Sequence, residues 1–160
     1  MSLPPSEEIM PVPIPLGPEP MRRTSRVALV ALAVVLVGVL GIARWLNPDN
    51  RGFGTHEQLG LPPCAFRVLM GIPCPSCGMT TSFAFVVRGQ LASAAWTNPG
   101  GCLLALGVMG LIPWCLASAV AGRTLGIRSP ERAAMGVILV VLAISLAGWA
   151  VRLLVSRGQG

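Results

Sequence analysis

Three long apolar runs organise the chain: "VALVALAVVLVGVLGIARWL" at 27–46, "GCLLALGVMGLIPWCLASAVA" at 101–121 and "AMGVILVVLAISLAGWAVRLLV" at 134–155. Each is long enough for a helix to cross roughly 30 Å of hydrocarbon. The pattern therefore predicts an all-α integral membrane protein with three transmembrane helices. Arg22, Arg23 and Arg26 form a charged flank before the first run. Asn98 followed by Pro99, and Ser129 followed by Pro130, read as N-caps with proline at the first helical position of the second and third helices. Pro113 should kink the second, and Arg44 and Arg152 sit near helix ends where a long side chain can snorkel to water. A rival reading starts at Met21 and takes the first run as a cleaved leader, but the run is longer than the usual leader core.

The polar stretch 47–100 predicts short helices broken by glycine and proline, with no strand pattern. "THEQLG" (55–60) has the form of a capping box, Thr55 with Gln58, closed by Gly60. "PCAFRVLMG" (63–71) reads as one more short turn of helix. In "GIPCPSCGMTTS" (71–82) Cys74 falls at a helix N-cap and Pro75 at the first helical position, with the helix running to about Arg88. That helix is too short to span and belongs at the interface, so 47–100 is a compact helical cap carrying cysteines. Residues 1–20 hold seven prolines and three glutamates, a composition that cannot build a packed core and reads as a disordered tail.

Composition agrees with a membrane setting. The 160 residues are 53% hydrophobic with a mean hydropathy of +0.71, more than a soluble domain of this size can bury. All 12 basic residues are arginine and the formal net charge is +6. The charge is scattered and lacks aromatic interleaving, which argues against nucleic acid and for lipid headgroups as the acidic partner.

The combined run "LPPCAFRVLMGIPCPSCGMTTSF...RGQLASAAWTNPGG" resembles the small bacterial membrane proteins of domain of unknown function 2752, whose signature is Cys-Pro-x-Cys-Gly-x-Thr-Arg followed later by Asn-Pro. The matching positions are Cys64, Cys74, Pro75, Cys77, Gly78, Thr80, Gly89, Asn98 and Pro99. Thr81 stands where the family usually has arginine, and Gln90 where aspartate is common. The resemblance implies an architecture and no activity. It also implies a bacterial inner-membrane location.

Three chemistries compete for the cysteines. Cys64, Cys74, Cys77 and His56 make a full tetrahedral ligand set for zinc, with the Cys-x-x-Cys unit as its centre. Cys74 and Cys77 could instead exchange disulfides, Cys74 being activated at a helix N-terminus. Alternatively the sulfurs only staple the cap, and the protein is a structural or interaction subunit meeting another membrane protein. Cys102 and Cys115 lie inside the second span and read as small apolar residues. Thr80, Thr81 and Ser82 have no histidine or carboxylate pattern to make any of them a nucleophile. Arginines number six on each side of a three-span arrangement. The cluster before the first helix then sets the expectation that the N-terminus is cytoplasmic and the cap lies outside.

Overall fold

The computed structural model describes residues 21–126 and 130–157. The expectations for the 1–20 tail and for Ser129 as a helix cap lie outside the described residues. Within them the chain is helical, with three helices long and apolar enough to cross a membrane. They are α1 (Arg23–Trp45), α5 (Pro99–Ala121) and α6 (Pro130–Arg157). Between α1 and α5 lie a short 3-10 helix (Thr55–Leu59), α2 (Ala65–Met70), α3 (Met79–Val86) and α4 (Leu91–Thr97). α5 is the central span, packing on α1 on one side and on α6 on the other, while α3 and α4 cover its N-terminal end. Large apolar side chains such as Val34, Val35, Ile138 and Val140 face outward from α1 and α6, which suits a hydrocarbon solvent.

The start of α5 decides where everything else can sit. Asn98 caps it, its Oδ1 accepting from the Gly101 N–H at 2.9 Å with Pro99 in the first turn. The two glycines that follow let neighbours approach closely. A Cβ on Gly100 would fall on Ser145 Oγ of α6, and one on Gly101 would lie 3.2 Å from both Met79 Cα and Ser82 Cβ of α3. Small residues allow this contact where no hydrophobic force drives helices together within lipid. Val86, Ala94, Cys102 and Ala105 form the buried core at this junction, with Phe83 and Phe85 packed against it. The helix continues through Pro113 as one element.

Arginine side chains tie the helix ends. Arg26 donates to the carbonyls of Ala119 (2.7 Å) and Val120 (3.3 Å), at the C-terminal end of α5. Arg88 reaches back to α1, donating to Ala43 O at 3.2 Å, Arg44 O at 2.8 Å and Leu46 O at 2.7 Å, and also to Ala84 O at 2.7 Å. These are the orphan carbonyls that every helix leaves at its C-terminus, and a planar guanidinium can serve neighbouring ones at once.

Several local expectations are corrected. Thr55 is not a cap: Gly54, with φ 89, precedes the 3-10 helix, and the Thr55 hydroxyl is buried against Thr81 Oγ1 at 2.8 Å. Gln58 bonds the backbone of Asn47 instead of closing a capping box. Cys74 does not begin a helix. Residues 74–78 form tight turns, Cys77 N–H to Cys74 O at 3.1 Å and Met79 N–H to Ser76 O at 3.0 Å, and the helix starts only after Gly78, whose φ of 85 interrupts any continuous coil. Arg152 does not snorkel either; it turns into the cap.

Candidate metal centre

Two segments bring three cysteines together. Cys64 precedes α2, a helix of one and a half turns that Gly71 ends in the left-handed conformation, φ 68. The chain then doubles back through Pro73 into the Cys74–Cys77 turn. The Sγ atoms of Cys64, Cys74 and Cys77 all lie within 4.8 Å of one another, and Cys77 is buried. Cys74 and Cys77 have their sulfurs 3.2 Å apart, with the Cys74 N–H also donating to Cys77 Sγ at 3.2 Å. A disulfide needs about 2.05 Å, and all five cysteines are free thiols. Around a tetrahedral zinc, sulfurs at about 2.3 Å stand roughly 3.8 Å from each other. The observed cluster brackets that spacing.

The sulfurs are electrostatically unequal. The Arg67 N–H at the head of α2 donates to the Cys64 carbonyl at 2.9 Å, and its proximity to the sulfur draws the Cys64 thiol down to about 7. Burial, followed by the sulfur–sulfur hydrogen bond with Cys74 that keeps the Cys77 proton in place, pushes Cys77 up to about 12. One sulfur thus carries charge readily, and the buried one resists it until something cationic joins the group. The low-lying thiol is Cys64, and Cys74 has lost the helix-terminus position on which its activation depended.

The turn is held rigidly from outside. Asn98, fully buried, uses its Nδ2 to donate to Pro75 O at 3.3 Å and Cys77 O at 3.2 Å. From α6, Trp149 Nε1 donates to Pro73 O, and Arg152 Nη1 to Cys77 O at 3.3 Å and to Thr97 O at 2.8 Å. Gly78 backs the turn against Gly52 O, which would lie 2.6 Å from any Cβ there. Asn98 therefore does two tasks with one amide: it starts the second span and fixes the cysteine turn.

His56 lines the same cavity as the three sulfurs, about 690 Å³ in volume, together with Arg51 and Arg67. It does not join the sulfur group, which among the described residues is made of cysteines only. Pro75 lies inside the turn and Gly89, with φ 76, follows α3. Thr80 lines the cavity. Thr81 is buried against Thr55, and the Ser82 hydroxyl donates to the carbonyls of Ala94 and Asn98. Cys102 and Cys115 are buried in α5, outside the sulfur group. Sequence reasoning missed Trp149 and Arg152, whose partners lie more than 50 residues away, and the stacking of the Arg67 guanidinium 3.4 Å from the centroid of the Phe53 ring. The only prior signal was that all the cations are arginine, the residue suited to forks and stacks.

Fold and site together define an integral membrane protein with three spanning helices and a cysteine cluster between the first two. The family model that matches is described as "Protein of unknown function (DUF2752)", over residues 64–112, so the chain's resemblance to that family is shown over this segment. That segment runs from Cys64 through the turn and into α5. No curated protein and no solved structure matches the chain.

Proposed function

We propose that the protein is a structural or interaction subunit of the bacterial inner membrane whose cap is locked by a zinc ion on Cys64, Cys74 and Cys77. The fourth ligand comes from outside the sulfur group, with His56 on the wall of the same cavity able to supply it by moving inward. The convergence of three sulfurs from two separate segments within 4.8 Å carries this reading, because a staple needs two sulfurs and a third brought to the same point suits a metal. The ligand chemistry agrees: borderline-soft zinc favours thiolate and imidazole. Three thiolates on a divalent ion leave one net negative charge, and Arg51 and Arg67 stand on the wall of that cavity. The N-terminus is placed in the cytoplasm, following the arginine flank of the first span. The cap then faces another membrane protein from the outer side.

The test is zinc stoichiometry of the full chain purified in mild detergent under argon, with free thiols counted before and after reduction. Near one zinc per chain, lost in Cys77→Ser and weakened in His56→Ala, is the expected result. Absence of metal, together with two thiols released only by reductant, would overturn it.

A further inference from the structure

A second cavity, about 870 Å³, opens beside the cysteine turn, and its wall carries Arg51, Arg67 and Arg152 together with Ser93 and Thr97. Asp49 is its single carboxylate, and that group is committed to Arg51 at 2.7 Å. Arg67 and Arg152 have no carboxylate partner among the described residues. Arg152 is also left with Nη2 buried and unbonded, while Nε and Nη1 are satisfied by carbonyls. A guanidinium withdrawn from water with a spare donor and no counter-charge is costly unless an anion completes it.

The position of the cavity narrows the anion. Arg152 lies near the C-terminal end of α6, and Thr97 immediately precedes the α5 cap, so the wall stands at the level where spans meet the polar boundary. Trp96, also on the wall, is 90% exposed, as an interfacial indole is. Two forked cations without a carboxylate partner, with hydroxyl donors beside them, match the several acceptor oxygens and the negative charge of a phosphate group better than a carboxylate, which offers only two oxygens. Basic clusters at the polar boundary of a membrane attract phosphate headgroups.

We infer that the cavity lined by Arg51, Arg67 and Arg152 is a binding site for a phosphate group, presented by an anionic lipid headgroup or as free phosphate. The cavity adjoins the sulfur cluster, sharing Cys77, Arg51 and Arg67 with the cavity that holds it, but the phosphate is held by guanidinium groups and not by the metal.

The experiment uses the full chain. In one arm it is reconstituted in nanodiscs of phosphatidylcholine with or without phosphatidylglycerol, and retained lipid is read by native mass spectrometry after release into detergent. In the other, inorganic phosphate is titrated onto lipid-stripped protein with tryptophan fluorescence as the readout. Selective retention of phosphatidylglycerol identifies the lipid source, and a saturable phosphate response identifies the free ion; either supports the site if Arg67→Gln weakens it by about tenfold to a hundredfold, the span of one charge-assisted hydrogen-bonded contact. Arg67→Lys, keeping charge and losing the fork, should fall between, and Arg123→Gln, an exposed arginine beyond α5, should bind as the parent does. No preference for phosphatidylglycerol combined with no phosphate response overturns the proposal. So does binding that is equal in the parent and in Arg67→Gln.

Discussion

Asn98 offers a prediction whose parts can be separated. Its amide is fully buried; the oxygen caps α5 at 2.9 Å from Gly101 N, and the nitrogen serves Pro75 O at 3.3 Å and Cys77 O at 3.2 Å. Serine can replace the cap but cannot reach both carbonyls as donor. Asn98→Ser should therefore lose only the grip on the turn, about 2 kcal/mol for two hydrogen bonds. Asn98→Ala loses the cap as well, about 1 kcal/mol more, for a total near 3 kcal/mol, or roughly 6–12 °C in melting temperature for a chain of this length. Asn98→Asp keeps the acceptor but turns an oxygen, and a buried charge, toward two carbonyl oxygens; it should be worst, about 3–5 kcal/mol. Thermal unfolding in detergent, followed by tryptophan fluorescence, should rank the variants Ser, Ala, Asp in order of increasing damage. Zinc affinity should fall already in Asn98→Ser, because the turn and not the helix start has been released. An aspartate variant as stable as the parent, or a serine variant that melts with alanine, would refute the two-sided role of this amide.

In metal-free protein, maleimide labelling of Cys64 should reach half its limiting rate near pH 7, since its thiol sits at about 7 where the ordinary value is 9.0. Its thiolate stabilises the fold fully above pH 9 and progressively less as pH falls through 7. Cys77, pushed up to about 12, should stay unlabelled through that range, and it destabilises the fold as pH rises above 9; equal labelling profiles for the two would contradict the assignment. Arg88→Lys cannot span the carbonyls of Ala43, Arg44 and Leu46, and should lower stability by about 2 kcal/mol although the charge is kept, measured as a melting shift at high and low salt. Gly78→Ala forces a side chain into φ 85 and against Gly52 O. About 2–3 kcal/mol is expected from backbone strain and the clash together, with loss of zinc binding measured by metal analysis; normal zinc content would show that the turn tolerates movement.

The spans were legible because hydropathy is a sum over some twenty residues and survives local irregularity. The Asn98–Pro99 start was legible too, since a cap is decided by its immediate neighbours. Cys74–Pro75 looked like the same device and was not: Gly78 takes a left-handed φ that no residue before it announces, and the helix begins one turn later. The meeting of Cys64 with Cys74 and Cys77 needed the reversal at Gly71, which spacing alone permits but does not fix. Arg152 and Trp149 were invisible as site residues for a simpler reason. Their acceptors are backbone carbonyls in another part of the chain, and a carbonyl leaves no mark in a sequence.

The Arg88 contacts have a mechanical meaning. Every acceptor in that fork is a peptide oxygen, which takes up no proton near neutrality and so gives acid nothing to titrate. Guanidinium likewise holds its proton throughout the physiological range. The joint between the first span and α3 is therefore a hinge pin that acid does not withdraw, and partial burial shields it from ions. A tilt of α1 would pull on α3 through this joint, and α3 rests on Gly101 at the head of the second span. The first membrane helix is in this sense a lever whose short arm ends beside the sulfurs.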